Sequence, residues 1–99
     1  MKILALEKEI PNITPEQFAP HHKAEALRIW ELYKSGQLRE IYFQQDLSEA
    51  VLILECSDKE AAHQILGSLP LVQAGLIEFE VIPLVPYPGF ERLFEKQMD

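Results

Sequence analysis

Apolar and polar positions along this chain follow two different periods, and the switches between them outline its elements. Residues 2–7 read as a short strand. Thr14-Pro15-Glu16-Gln17 then carries three helix-start signals: Thr14 as a cap, Pro15 for the first helical position, and Gln17 to complete a capping box. The spacing predicts a helix from there to Lys34 or Ser35, where Gly36 supplies the left-handed residue that ends it. Residues 38–45 alternate and 49–56 form a nearly continuous aliphatic run, which predicts two strands around a turn at Asp46-Leu47-Ser48. Ser57-Asp58-Lys59-Glu60 is a second capping box, and Ala62, Ile65, Leu66 and Leu69 follow at helical spacing until Pro70 forbids continuation. Residues 76–84 alternate as a fourth strand. Pro86, Pro88 and Gly89 then break the chain, and Phe90, Leu93 and Phe94 mark a last helical turn or two.

The order β-α-β-β-α-β is the split βαβ pattern of an α+β, ferredoxin-like domain with a four-stranded antiparallel sheet. A single such domain over residues 1–99, with a C-terminal tail from about residue 84, accounts for the whole sequence. In this topology the first and third strands are central. The outer strands alternate, so Ile41 and Phe43, with Ile77, Phe79 and Val81, are expected to face the helices, while Glu40, Tyr42, Gln44, Glu78 and Glu80 face away. The third strand is apolar on both sides. Val51 and Ile53 are assigned to the helix side, which leaves Ala50, Leu52 and Leu54 on the open face beside Leu4 and Leu6. Apolar area of that size, at about 25 cal/mol per Å2, is rarely left to water. A second subunit related by a two-fold axis covers it most simply, giving a homodimeric α+β barrel or a larger assembly. The rival is a monomer whose tail folds back across the sheet.

Charge narrows the partners. Nine Lys plus Arg against sixteen Asp plus Glu give a net charge of -7, which disfavours nucleic acid and anionic lipid. The apolar run 3–6 stops at Glu7, far short of a signal peptide or of the roughly 20 residues of a membrane span, so a cytoplasmic protein is expected. One cysteine, Cys56, cannot form an internal disulfide and reads as an inert core thiol.

The first predicted helix carries the candidate chemistry. At about 100° per residue its apolar stripe contains Phe18, Ala26, Ile29, Trp30 and Tyr33, with His22 in the middle. A buried neutral imidazole can act as a general base or as a hydrogen-bond donor to a ligand, and it can equally be a satisfied core histidine. Arg39 shares its predicted strand face with Ile41 and Phe43, where a guanidinium can hold a carboxylate bidentately. Trp30, Tyr33, Phe43 and Phe18 would wall a flat apolar ligand or simply form core. His21 and His22 are adjacent on a helix and do not face each other, so a metal site is not expected. Glycine-rich phosphate loops, cysteine-pair metal motifs and a serine nucleophile elbow are absent from the sequence, and no cofactor is expected. Phe90, Leu93 and Phe94 follow a proline-rich break and call for another surface, on a neighbouring subunit or across a pocket mouth.

Several stretches resemble the muconolactone isomerase family. They are Leu69-Pro70-Leu71, Ile77-Glu78-Phe79-Glu80-Val81 with the proline-containing exit 83–88, Arg39-Glu40-Ile41-Tyr42 after a helix ending in glycine, and the run into Cys56-Ser57. Together they span about residues 23–88. The resemblance implies an oligomeric, metal-free isomerase that shifts a proton in an unsaturated lactone bearing a carboxylate. It would use His22 as base and Arg39 as cation. The family's strand carries a further basic residue where this chain has Phe43 and Gln44, and its exit segment is basic where Val85-Pro86-Tyr87-Pro88 is uncharged. A less charged carbonyl or lactone compound is therefore the expected ligand. A non-catalytic oligomeric binding or scaffolding module and a cofactor-free monooxygenase of the same barrel type are the alternatives.

Overall fold

A computed structural model describes residues 1–95 of the chain. Its first strand, β1 (Lys2–Glu9), runs through the middle of a four-stranded antiparallel sheet. The others are β2 (Leu38–Phe43), β3 (Ala50–Glu55) and β4 (Ile77–Pro83), in the order β2-β3-β1-β4. This is the ferredoxin-like arrangement expected, with the first and third strands central.

Register decides which residues reach the core. Ile3 pairs with Leu54 and Ala5 with Leu52, and on its other edge Ala5 pairs with Val81. Residues directly opposite share a face. All five are buried, and they pack against Leu32 of the first long helix and Ala62, Ile65, Leu66 and Leu69 from the second helical region. The assignment of Ala50, Leu52 and Leu54 to the open face is thus reversed: they lie under the helices, and Val51 and Ile53 take their place beside Leu4 and Leu6. A strand apolar on both sides offers no phase of its own. The partner strand supplies it, since Phe43 lies opposite Ala50 and Ile41 opposite Leu52.

The start of β2 holds a second departure from strict alternation. Leu38 pairs with Leu54 and Glu40 with Ile53, so Arg39 is the extra residue of a β-bulge. The bulge turns Leu38 into the core and leaves Arg39 exposed, instead of aiming it under the helices with Ile41 and Phe43.

The helix expected over 14–35 is interrupted. Thr14 N–H donates to Gln17 Oε1 at 2.8 Å and α1 (Pro15–Phe18) begins as anticipated. Pro20, which lacks an amide donor, then falls within a 3-10 turn (Ala19–His21), and α2 (His22–Ser35) follows. Gly36, at φ 84°, ends it in the left-handed region. The covered side of α2 is formed by Glu25, Arg28, Ile29 and Leu32, with Leu32 fully buried. His22, Ala26, Trp30 and Tyr33, expected inside, are exposed, and Trp30 stacks on Tyr33 at 5.9 Å. Two polar members disguise the true stripe: Arg28 Nε donates to Ser68 Oγ at 2.9 Å, and Glu25 Oε1 accepts from the Leu71 amide at 2.9 Å.

The second helical region is α3 (Lys59–Gly67), capped by Asp58 Oδ1 on the Ala61 amide at 2.8 Å, and the single turn α4 (Pro70–Gln73). Past β4 the Leu84 amide still donates to Lys2 O, and the chain then leaves the body as an arm. Its 3-10 turn (Pro88–Leu93) is organised by Tyr87, whose ring lies so close over Gly89 that a Cβ there would run into it, and which meets Phe90 edge-on at 5.1 Å. Phe90, Leu93 and Phe94 are 66%, 75% and 83% exposed, so the described part of the tail does not fold back across its own sheet. The long axis of 67 Å and radius of gyration of 17.3 Å record the projection; a compact chain of this length has a radius near ~13 Å. The part of the expected tail beyond residue 95 lies outside the described residues. Among the described residues, no helix is long and apolar enough to cross a membrane.

Candidate functional site

Where β1 leaves the core, the sheet, the α1 segment and the loop between β2 and β3 enclose a cleft of about 710 Å3, within the range of small-molecule sites. Its floor is Glu7, and its walls include Phe18, His22, Phe43, Leu47 and Leu71. Alternation along β1 carries Glu7 there: Ile3 and Ala5 point into the core, and Glu7 occupies the next position on the same face.

Glu7 is the buried charged side chain among the core residues, 7% exposed. Its Oε1 accepts the Ala50 amide at 3.1 Å. Burial pushes its carboxyl above the usual glutamate range, against the lowering effect of that amide, and the negative charges of Glu9, Glu49 and Glu25 push the same way. Glu25 behaves alike. Burial raises its carboxyl, while the Leu71 amide and the nearby His21 pull it down. Leu71 lines the cleft while its amide donates to Glu25, so a residue of the cleft wall holds the second raised carboxyl from behind. Carboxyls whose proton affinity is raised by burial suit acid–base work.

Of the residues singled out by sequence, the cleft brings together His22, Phe18 and Phe43. Arg39, Trp30 and Tyr33 are not among its lining residues. Arg39 sits in its bulge, where its charge acts on Glu55, and the Trp30–Tyr33 pair lies on the outer side of α2. Glu7 and Glu25 escaped notice because a charge ordinarily reads as the end of an apolar pattern. The usable signal was phase: Glu7 continues the Ile3–Ala5 alternation, and Glu25 stands four and seven residues before Ile29 and Leu32. The cleft lining contains Glu7, Glu9 and Asp46 but no lysine or arginine. Among the described residues, no three His, Cys, Asp or Glu side chains cluster so as to hold a metal ion.

Several solved structures share the fold. Muconolactone isomerase superposes with a TM-score of 0.73 at 20% identity, over 89% of this chain and 92% of that one. The 5-chloro-2-hydroxyhydroquinone dehydrochlorinase of Burkholderia phenoliruptrix AC1100, in complex with 2,5-dihydroxybenzoquinone, gives 0.70 at 16% identity, over 90% and 98%. No curated protein matches the chain in sequence. The family model of muconolactone delta-isomerase matches residues 4–89, nearly the whole of the four-stranded domain, and the chain belongs to that family.

Proposed function

We propose that this protein binds a small carbonyl or lactone compound in the cleft and moves a proton on it without a cofactor. The observation that carries the reading is the buried Glu7 carboxyl at the cleft floor, its proton affinity raised by burial, with His22 in the wall. In its ionised form Glu7 takes the proton from the γ carbon, at the far end of the double bond conjugated to the carbonyl. The negative charge passes to the carbonyl oxygen, which accepts a hydrogen bond from the His22 ring. Glu7 then returns the proton to the carbon beside the carbonyl, which shifts the double bond out of conjugation. Phe18 and Phe43 supply apolar walls for the ligand's ring. Arg39 has no part in this scheme.

The acidic lining supports a neutral substrate over a carboxylate-bearing one. The test compares muconolactone with the corresponding butenolide lacking the carboxylate, both in heavy water, followed by NMR. Deuterium incorporation and double-bond migration are expected to be faster with the neutral butenolide and to fall about 100-fold or more in Glu7→Gln. Absence of exchange with both compounds overturns the proton-transfer reading.

The same proposal includes self-association. Leu4, Leu6, Val51 and Ile53 are only partly buried within one chain, and the matching face of a second copy covers them in a two-fold barrel.

A further inference from the structure

The fixed charges around the cleft are of one sign. Glu7, Glu9 and Asp46 line it, and no lysine or arginine does. Glu49 stands close by, its Oε2 accepting the Glu9 amide at 3.1 Å, and the negative charges of Glu9 and Glu49 both act on Glu7. Carboxylates grouped on a surface are ordinarily solvated and select nothing by themselves.

Glu7 makes this group different. Its side chain is 7% exposed and its Oε1 is held by the Ala50 amide, while Oε2 takes no hydrogen bond or ion pair from any described residue. Among the described residues, every buried side-chain oxygen that is sealed from solvent has a partner. Oε2 is therefore unsealed, and it opens on the cleft whose floor Glu7 forms. A desolvated acceptor without a partner calls for a donor or a positive charge from the ligand.

The rest of the lining says what kind of charge fits. The carboxylates come from separate elements, β1 and the β2–β3 loop, and among the described residues no three metal-ligating side chains cluster tightly enough for a metal ion. Two aromatic rings, Phe18 and Phe43, share the lining, and Phe43 is 69% exposed. Aromatic faces with carboxylates spaced around them suit a large, weakly hydrated organic cation.

We propose that the cleft takes a carbonyl or lactone compound bearing a quaternary ammonium or similar organic cation, held between Phe18 and Phe43 and facing Glu9 and Asp46. A cation there offsets the effect of the neighbouring carboxylates on Glu7 and favours its ionised form, the form that takes the proton. The inference rests on the cleft being the ligand site, and its test reads binding without turnover.

Two butenolides of equal size serve as probes. One ends its γ side chain in trimethylammonium and the other in tert-butyl, so they differ in charge and in little else. Isothermal titration at low salt is expected to show the cation binding about 10-fold or more tightly than its neutral twin. The ratio should shrink as salt is added. Glu9→Gln combined with Asp46→Asn should reduce it to about 3-fold or less. Glu31→Gln with Glu60→Gln, which neutralises two exposed carboxylates on α2 and α3 outside the lining, should leave it within about 2-fold of the parent's. Equal binding of the twins overturns the inference. So does an equal fall in both double variants, which would trace the ratio to the chain's overall charge of -7. A cation preference in a protein that exchanges no proton from any of these lactones upholds the ligand class and rejects the proton-transfer reading alone. Exchange with the neutral butenolide and no cation preference rejects the present inference alone.

Discussion

Replacement of Glu7 separates its chemistry from its place in the fold. Glutamine keeps the oxygen that accepts the Ala50 amide and removes the ionisable group, whereas alanine removes both. Because the folded Glu7 carboxyl lies above the unfolded value of about 4.3, between the two values the folded protein holds more of that proton than the unfolded chain does. Its contribution is therefore most favourable below the unfolded value and is lost as pH rises through the folded one. The slope reaches at most about 1.4 kcal/mol per pH unit for a single group. Glu7→Gln removes that loss, so the variant should be at least as stable as the parent at pH 7 and show a flatter stability profile above about pH 4.3. Glu7→Ala instead leaves the amide of buried Ala50 without an acceptor, which costs about 1–3 kcal/mol. For a domain of this size each kilocalorie lowers Tm by about 4–8 °C. Urea titrations of the three proteins from pH 4 to pH 8 measure both effects. A Glu7→Gln protein that is less stable at pH 7 and keeps the parent's pH slope would refute the reasoning, since Glu7 would then be a stabilising ion and not a strained one.

Register and packing carry further consequences. Leu54→Ala, in the fully buried set, should cost about 2–5 kcal/mol by chemical denaturation, while Val51→Ala on the open face should cost far less in the isolated subunit. Val51→Lys should leave the subunit folded by circular dichroism and reduce the mass seen by analytical ultracentrifugation, because it places a charge in the face proposed to be shared. Glu25→Gln keeps an acceptor for the Leu71 amide and, because Glu25 stands outside the cleft lining, should preserve both stability in urea and butenolide turnover; a large loss of turnover would bring Glu25 into the acid–base chemistry.

Local chemistry determined much of this protein without help from packing. Thr14, Pro15 and Gly36 set helix ends, Asp46-Leu47-Ser48 marked the hairpin, and alternation in β4 named the residues that face the helices. Those signals are carried by residues a few positions apart, so the chain reports them directly. Three decisions belonged to the tertiary structure. β3 is apolar on both faces, and only pairing with β1 and β2 chose which face to bury. A bulge at Arg39 and a break at Pro20 each shifted the phase of the adjoining segment, turning Arg39, Trp30 and Tyr33 outward and bringing Leu38 and Leu32 in. The cleft formed where the β1 end, the α1 segment and the β2–β3 loop meet, which gathers Glu7, Phe18, His22, Phe43 and Leu71 from distant parts of the chain. Periodicity describes a residue's direction relative to its own element. It carries no information about which element will stand opposite, and that juxtaposition is what turns an ordinary strand glutamate into a desolvated carboxyl at the floor of a site.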